Sequence, residues 1–218
     1  MTTLAETDIS ETMEDLLHRL GDIAPSRVRM HPTPGTATEE DVLAIDAREG
    51  RLFELVDGVL VEKGMGYRES LIAIAISHAL ESWVGPRRLG LVTGEGGMMR
   101  IVLKQVRIPD VAYISAARLP SGKPPSNAVP AISPDLAVEV LSESNTKAEM
   151  ARKRVEYFAG GTGVVWEVDP DTRSVGVHTG PDSFTTLRDD DVLSGGTVLP
   201  GFELPLRVVF AKLDFGVT

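Results

Sequence analysis

Two acidic residues stand where strand-forming sequence leaves little room for a charge. In Leu136-Ala137-Val138-Glu139-Val140-Leu141 one glutamate interrupts a continuous apolar run. A run of that kind reads as a strand buried on both faces, and an ionised carboxylate inside it is costly unless it is paired or bound to a metal. The alternatives are an edge strand that turns Glu139 to solvent, or a buried salt bridge. Asp110 opens a second apolar stretch, Asp110-Val111-Ala112-Tyr113-Ile114, directly after Pro109. Proline has no amide proton to donate and suits the first position of a strand. Asp110 is therefore expected at the end of a sheet with its carboxylate at the rim; a turn cap is its other reading. Carboxylates on neighbouring strands can share one divalent ion, which activates water and neutralises charge on a phosphate. A nearby lysine would orient the water or stabilise the developing negative charge. Lys153, one helical turn before Tyr157, is the candidate; its other reading is a solvated basic face with Arg152 and Arg154.

Composition narrows the metal and the setting. The 218 residues include no cysteine, which excludes disulfides, iron–sulfur clusters, thiolate zinc sites and cysteine nucleophiles. His18, His31, His78 and His178 show no short ligand spacing. A metal would be a hard cation on carboxylate oxygens: magnesium, manganese or calcium. No apolar run approaches the roughly 20 residues of a membrane helix. The acidic, polar N-terminus (Glu6, Asp8, Glu11, Glu14, Asp15) lacks the pattern of a signal peptide, so a cytoplasmic protein is expected. The net charge of −10 argues against a nucleic-acid partner, which needs a basic footprint. The distribution softens that objection. Residues 1–50 carry 11 acidic and 4 basic residues, while Arg87, Arg88, Arg100, Lys104, Arg107, Arg118 and Lys123 share the middle of the chain with only Glu95 and Asp110.

The elements that must position these side chains follow from periodicity. An amphipathic helix is expected from about Ile9 to Leu20, capped by Ser10 or Asp8. His31-Pro32-Thr33-Pro34-Gly35 reads as a linker, and Thr38-Glu39-Glu40-Asp41 opens a short helix. Asp57-Gly58 between Phe53–Val56 and Val59–Glu62 is a two-residue hairpin signal. A buried helix is expected over Ser70–Trp83. Strands follow at Leu89–Thr93, Met98–Leu103, Asp110–Ile114 and Leu136–Leu141, with a loop from Ala117 to Pro134. A helix from Thr146 to Ala159 ends at Gly160-Gly161. Strands at Val164–Val168, Ser174–His178 and Phe184–Leu187 and a terminal apolar segment complete an α/β order.

The order of motifs resembles the Uma-type restriction endonuclease family within the PD-(D/E)XK nuclease superfamily. The matching pieces are Phe53-Glu54-Leu55-Val56-Asp57-Gly58, Ile108-Pro109-Asp110-Val111 and Pro134-Asp135-Leu136-Ala137-Val138-Glu139-Val140-Leu141-Ser142. Lys153, Tyr157 and Trp166-Glu167-Val168-Asp169-Pro170 continue it. A proline–aspartate pair alone carries almost no information, as the second copy at Pro134-Asp135 shows; that copy lies too close to Glu139 to supply the partner strand. The resemblance implies a restriction-endonuclease-like core, a central mixed β-sheet flanked by helices, with Asp110 and Glu139 as ligands for Mg2+ or Mn2+. It also marks departures. The superfamily places a lysine two residues after the glutamate, where Leu141 stands, which points to Lys153 on the helix instead. Glu69 occupies a place where many relatives carry histidine; it is either an accessory carboxylate or a first-turn acid serving the helix dipole. Glu54 matches a family position without a defined role, and Asp57 belongs to the turn.

The expectation is an acidic helical extension and linker over residues 1–35 and a nuclease-like domain over 36–218. Its function would be metal-dependent hydrolysis of DNA phosphodiester bonds, with Asp110, Glu139 and Lys153 catalytic, and with a homodimer suggested by the resemblance. The alternative is a non-catalytic interaction or regulatory protein on a degenerate nuclease scaffold, since a fold does not imply a function. A serine–histidine hydrolase lacks its G-x-S-x-G element.

Overall fold

Alternation of side chains along the strands decides this architecture, because each strand offers one set of residues to each face of its sheet. The computed structural model describes residues 12–64 and 66–214. Its N-terminal part contains α1 (Met13–Arg19), β1 (Val28–Arg29), α2 (Glu39–Glu49), β2 (Phe53–Val56), β3 (Val59–Glu62) and α3 (Tyr67–Arg87). Four strands follow: β4 (Gly90–Thr93), β5 (Met99–Val102), β6 (Gln105–Arg107) and β7 (Val111–Ser115). Next come β8 (Leu136–Val140), α4 (Lys147–Ala159), β9 (Val164–Asp169), β10 (Ser174–His178) and β11 (Phe184–Arg188). The chain closes with β12 (Val192–Ser194), β13 (Glu203–Pro205) and α5 (Leu206–Phe210).

The main sheet has six strands in the order β11-β10-β9-β8-β7-β4. It is mixed: β8 and β9 run parallel, and every other neighbouring pair is antiparallel. A parallel pair requires a crossover connection, and α4 is that connection. The second sheet, β1-β3-β2-β6-β5, is antiparallel throughout. This is the mixed α/β core with flanking helices that the sequence implies.

Odd and even positions of the main sheet go to different cores. Val111, Tyr113, Leu136, Val138, Val164 and Trp166 pack with Ile72, Ile76 and Leu80 of α3 and with the C-terminal elements. Ala112, Ile114, Ala137 and Val165 turn the other way, towards Tyr157 of α4 and Met99 and Ile101 of β5. Helix α3 is longer than the expected Ser70–Trp83 and ends where Arg88 takes a left-handed conformation (φ 53°).

The β2–β3 hairpin turns on Asp57 (φ 49°) and Gly58 (φ 75°), the pair of positive φ values that a type I′ turn requires. A Cβ on Gly58 would lie 2.4 Å from the Gly35 carbonyl oxygen, and Gly35 and Ala37 both donate to the Gly58 carbonyl. The segment read as a linker is thus docked on the hairpin. Helix α1 begins later than expected, with a Thr12–Asp15 capping box; Ile9, Ser10 and Asp8 lie outside the described residues. Leu16, Leu20, Ile23 and Val28 join Val56, Val59 and Val61 in one cluster. Strand β6 was not expected as a separate element: Lys104 makes the turn from β5 in a left-handed conformation (φ 62°), without the glycine or asparagine that usually announces one. Among the described residues no helix is long and apolar enough to cross a membrane.

Candidate active site

Glu139 lies on β8 between Val138 and Val140, both in the α3-side core, so its side chain points to the α4 side, like Ala137. Asp110 precedes β7 with the parity of Ala112 and Ile114 and faces the same way. The strands are tied at this point: the Asp110 amide donates to the Val138 carbonyl at 3.0 Å, and the Val140 amide donates to Asp110 Oδ2 at 2.6 Å. The two carboxylates are thereby held on adjacent strands, and both are buried.

Helix α4 brings its partners. Lys153, Glu156 and Tyr157 are spaced at i, i+3 and i+4, which places them on one face. Lys153 Nζ donates to Glu139 Oε2 at 3.0 Å and lies 3.2 Å from Glu54 Oε1. The Tyr157 hydroxyl donates to Glu139 Oε1 at 2.6 Å. Glu54 on β2 also accepts from Arg107 at 2.7 Å and from the Ile108 amide at 3.2 Å, and Arg107 donates onward to Glu156 at 2.6 Å. Lys63, immediately after β3, completes the group with Nζ 2.7 Å from Asp110 Oδ1. Each charge in this interior has an opposite charge beside it, the condition under which buried ions are tolerated.

The environment shifts these groups in different directions. Burial pushes the Glu139 carboxyl above its usual range, against the pull of Lys153 and Lys63. Burial acts the same way on Glu54, but there Lys153 and Arg107 prevail and hold the carboxyl well below the usual range. Burial would lower Lys153, yet Glu139 and Glu54 keep its ammonium protonated well beyond the ordinary lysine range. Lys63 behaves likewise, with Asp110 and then Glu139 overcoming desolvation. Tyr157 is raised by burial and by the adjacent Glu139 charge, so its hydroxyl remains a donor.

The structure brings together Asp110, Glu139, Lys153 and Glu54 of the residues singled out from the sequence. Glu69 stands in the first turn of α3 with its carboxylate folded against Gly66. Three members of the cluster had no role in the sequence reading, Lys63, Arg107 and Glu156, and Tyr157 entered it only as a family position. Lys63 follows Glu62 at a strand end, a pattern that reads as solvated charge, and Arg107 was one of seven scattered basic residues. Three residues of that basic stretch are engaged within the fold. Arg107 is buried, Arg118 binds Asp135 at 2.8 Å and Arg100 binds Glu39 at 3.1 Å. Asp57 does more than turn the hairpin, since its carboxylate accepts from Arg152 of α4 at 2.6 Å.

Arg27, from the segment before α2, braces the surroundings. It donates to the Glu62 carbonyl at 3.0 Å, to the Ser144 carbonyl at 3.1 Å and in bidentate fashion to Glu149 at 2.8 and 2.9 Å. It thus joins the end of β3, the loop after β8 and α4. Glu167, which pairs with Glu139 in register, is held by Arg154 at 2.6 Å and lies 3.3 Å from His178; the Arg154 guanidinium neutralises it on the wall of a cleft of about 500 Å3.

Among the described residues no group of three or more histidine, cysteine, aspartate or glutamate side chains forms a metal cage. What the cluster offers is a pair of hard oxygen donors, Asp110 and Glu139, with burial first and the neighbouring Asp110 charge adding to the proton affinity of Glu139. Oxygen donors of this kind fit a magnesium- or manganese-like ion, and among the described residues the cationic partner of Asp110 is the Lys63 ammonium.

A mixed sheet with an acid pair on adjacent strands and a lysine from the crossover helix defines a restriction-endonuclease-like α/β core. The chain belongs to the Uma2 family, described as "Putative restriction endonuclease", whose model matches residues 39–207. Arg27 lies outside that stretch. A solved structure with a similar fold is a "putative nuclease belonging to DUF820" from Anabaena variabilis, with a TM-score of 0.66 and 20% identity. The match covers 74% of this chain and 91% of that one. No curated protein matches the chain.

Proposed function

We propose that this protein is a metal-dependent endonuclease that hydrolyses DNA phosphodiester bonds, with Asp110 and Glu139 holding Mg2+ or Mn2+. The observation that carries the reading is the meeting of Asp110 and Glu139 on adjacent strands with Lys153 on Glu139. Membership of the Uma2 family supports the reaction class. When bound, a divalent ion supplies neutralisation of the charge on the phosphate. The chain's own residues do the rest. The Val140 amide fixes the Asp110 carboxylate, and Tyr157 and Lys153 fix that of Glu139. Lys153 is a permanent ammonium in a water-poor interior, where a positive charge stabilises developing negative charge most strongly. Its second role in this reading is to orient the attacking water. Glu54 acts through Lys153, holding the ammonium from its second side, and Glu69 is left with at most an accessory part. A homodimer accompanies this reading on the strength of the family resemblance.

Replacing Asp110 or Glu139 with alanine is expected to abolish Mg2+- or Mn2+-stimulated cleavage of DNA while the protein stays folded by circular dichroism. Unchanged cleavage in either folded variant removes that residue from the site.

A second reading is favoured by two observations: the Lys63–Asp110 ion pair at 2.7 Å and the net charge of −10. On it, the cluster is a structural ion network and the protein is a non-catalytic interaction partner. Failure of the folded wild type to bind Mg2+ or Mn2+ would select it.

A further inference from the structure

Two lysines serve the two carboxylates, and they are not equivalent. Lys153 stands in the middle of α4, bridges Glu139 and Glu54 at 3.0 and 3.2 Å, and belongs to a helix pinned to the hairpin by Arg152. Lys63 sits just beyond the last residue of β3, is followed by Gly64, and makes one ion pair, with Asp110 Oδ1. Its stem has four rotatable carbons and ends in a compact charge, so it can leave without disturbing a strand or helix. The second Asp110 oxygen is taken by the Val140 amide. Asp110 Oδ1 is therefore the one carboxylate oxygen of the pair whose partner is readily exchanged. Asp110 also lines a cleft of about 120 Å3 with Ala73, Ile74, Gly94 and Glu95.

Charge balance points the same way. Glu54, Asp110 and Glu139 face the Lys63 and Lys153 ammoniums, leaving one net negative charge, while Arg107 and Glu156 cancel. Adding a divalent ion beside both lysines would bury an uncompensated positive charge, which is expensive. Exchanging Lys63 for the divalent ion brings the group to neutrality.

We infer that Lys63 is a resident counter-ion that competes with the divalent cation for Asp110 Oδ1 and swings out when the metal enters. The inference rests on the metal-site reading above and adds a residue that sets the site's metal affinity. In the metal-free protein Lys63 keeps Asp110 paired and the strand end in place. In return, the fraction of molecules open to the ion is reduced, and a fully engaged lysine weakens apparent affinity in proportion to that fraction.

The test is calorimetric titration of Mn2+ into the full-length wild type, Lys63→Met, Lys63→Gln and Lys63→Arg, with thermal melts in chelator and in Mn2+. The two neutral variants are expected to bind Mn2+ about tenfold or more tightly than wild type, since engagement for nine-tenths of the time costs that factor. They are also expected to melt lower in chelator and to gain more from Mn2+, while Lys63→Arg, which keeps a cation, stays near wild-type affinity. If wild type binds and both neutral variants bind no more tightly, the exchange is overturned and the metal site stands. If Lys63→Met fails to fold without metal, Lys63→Gln decides by the same comparison. Binding by none of the proteins overturns the metal site and the exchange together.

Discussion

The two faces of the six-stranded sheet are built from opposite materials. On the α3 side, Leu136, Val138, Trp166 and Val168 meet Ile72, Ile76 and Leu80 in an apolar core. On the α4 side, the strands present the short side chains of Ala112 and Ala137 beside Val165, leaving room for Glu139, Lys153 and Tyr157. The first face draws its stability from area removed from water, at roughly 25 cal/mol per Å2. The second gains little net free energy, because desolvating ions offsets most of their attraction. Rigid strands anchored on one side can thus carry a poised acid pair on the other. A change on the α3 side should therefore alter stability alone, whereas a change on the α4 side should alter stability and metal affinity together.

The sharpest break of this contrast is Arg107→Met. It leaves Glu54 and Glu156 without their shared guanidinium, and removing one partner of a buried pair costs about 3–5 kcal/mol; urea unfolding measures it. Leu80→Ala on the opposite face should cost about 2–5 kcal/mol by cavity formation, while Mn2+ affinity in the folded fraction stays at the wild-type value. A parallel loss of affinity in Leu80→Ala would show that the faces are not separable. Tyr157→Phe removes one hydrogen bond to a charged group, worth about 1.5–3 kcal/mol, and should disturb Mn2+ binding through Glu139. At the lower end stands the pH dependence of the Arg27 brace. Burial would raise Glu149, but Arg27 and then Lys153 hold it below its ordinary 4.5. Its contribution is present above 4.5 and is lost as pH falls through the depressed value. Glu149→Gln should accordingly lose less stability than wild type on acidification below that point. An equal loss in both proteins would remove Glu149 as a contributor.

How much of this could be read in advance depended on whether the signal was local. The hairpin was legible because Asp57-Gly58 carries its own backbone preference. The acid pair was legible because an apolar run makes a charge conspicuous, whereas Lys153, locally one of three basic neighbours on a helix, was singled out by the family resemblance. Lys63 was hidden because a lysine after a strand normally reaches solvent, and only the fold carries it to Asp110. Arg107 was hidden with β6, whose turn uses Lys104 in a conformation that lysine seldom announces. The ties of Asp57 to Arg152 and of Arg27 to Glu149 span 95 and 122 residues, beyond the reach of any periodicity.

The most direct test of the proposed site is a calorimetric titration of Mn2+ into wild type and Asp110→Ala near neutral pH. The account predicts site-dependent binding by the wild type that is lost in the folded variant. Equal binding by both proteins, or none by the folded wild type, would contradict it.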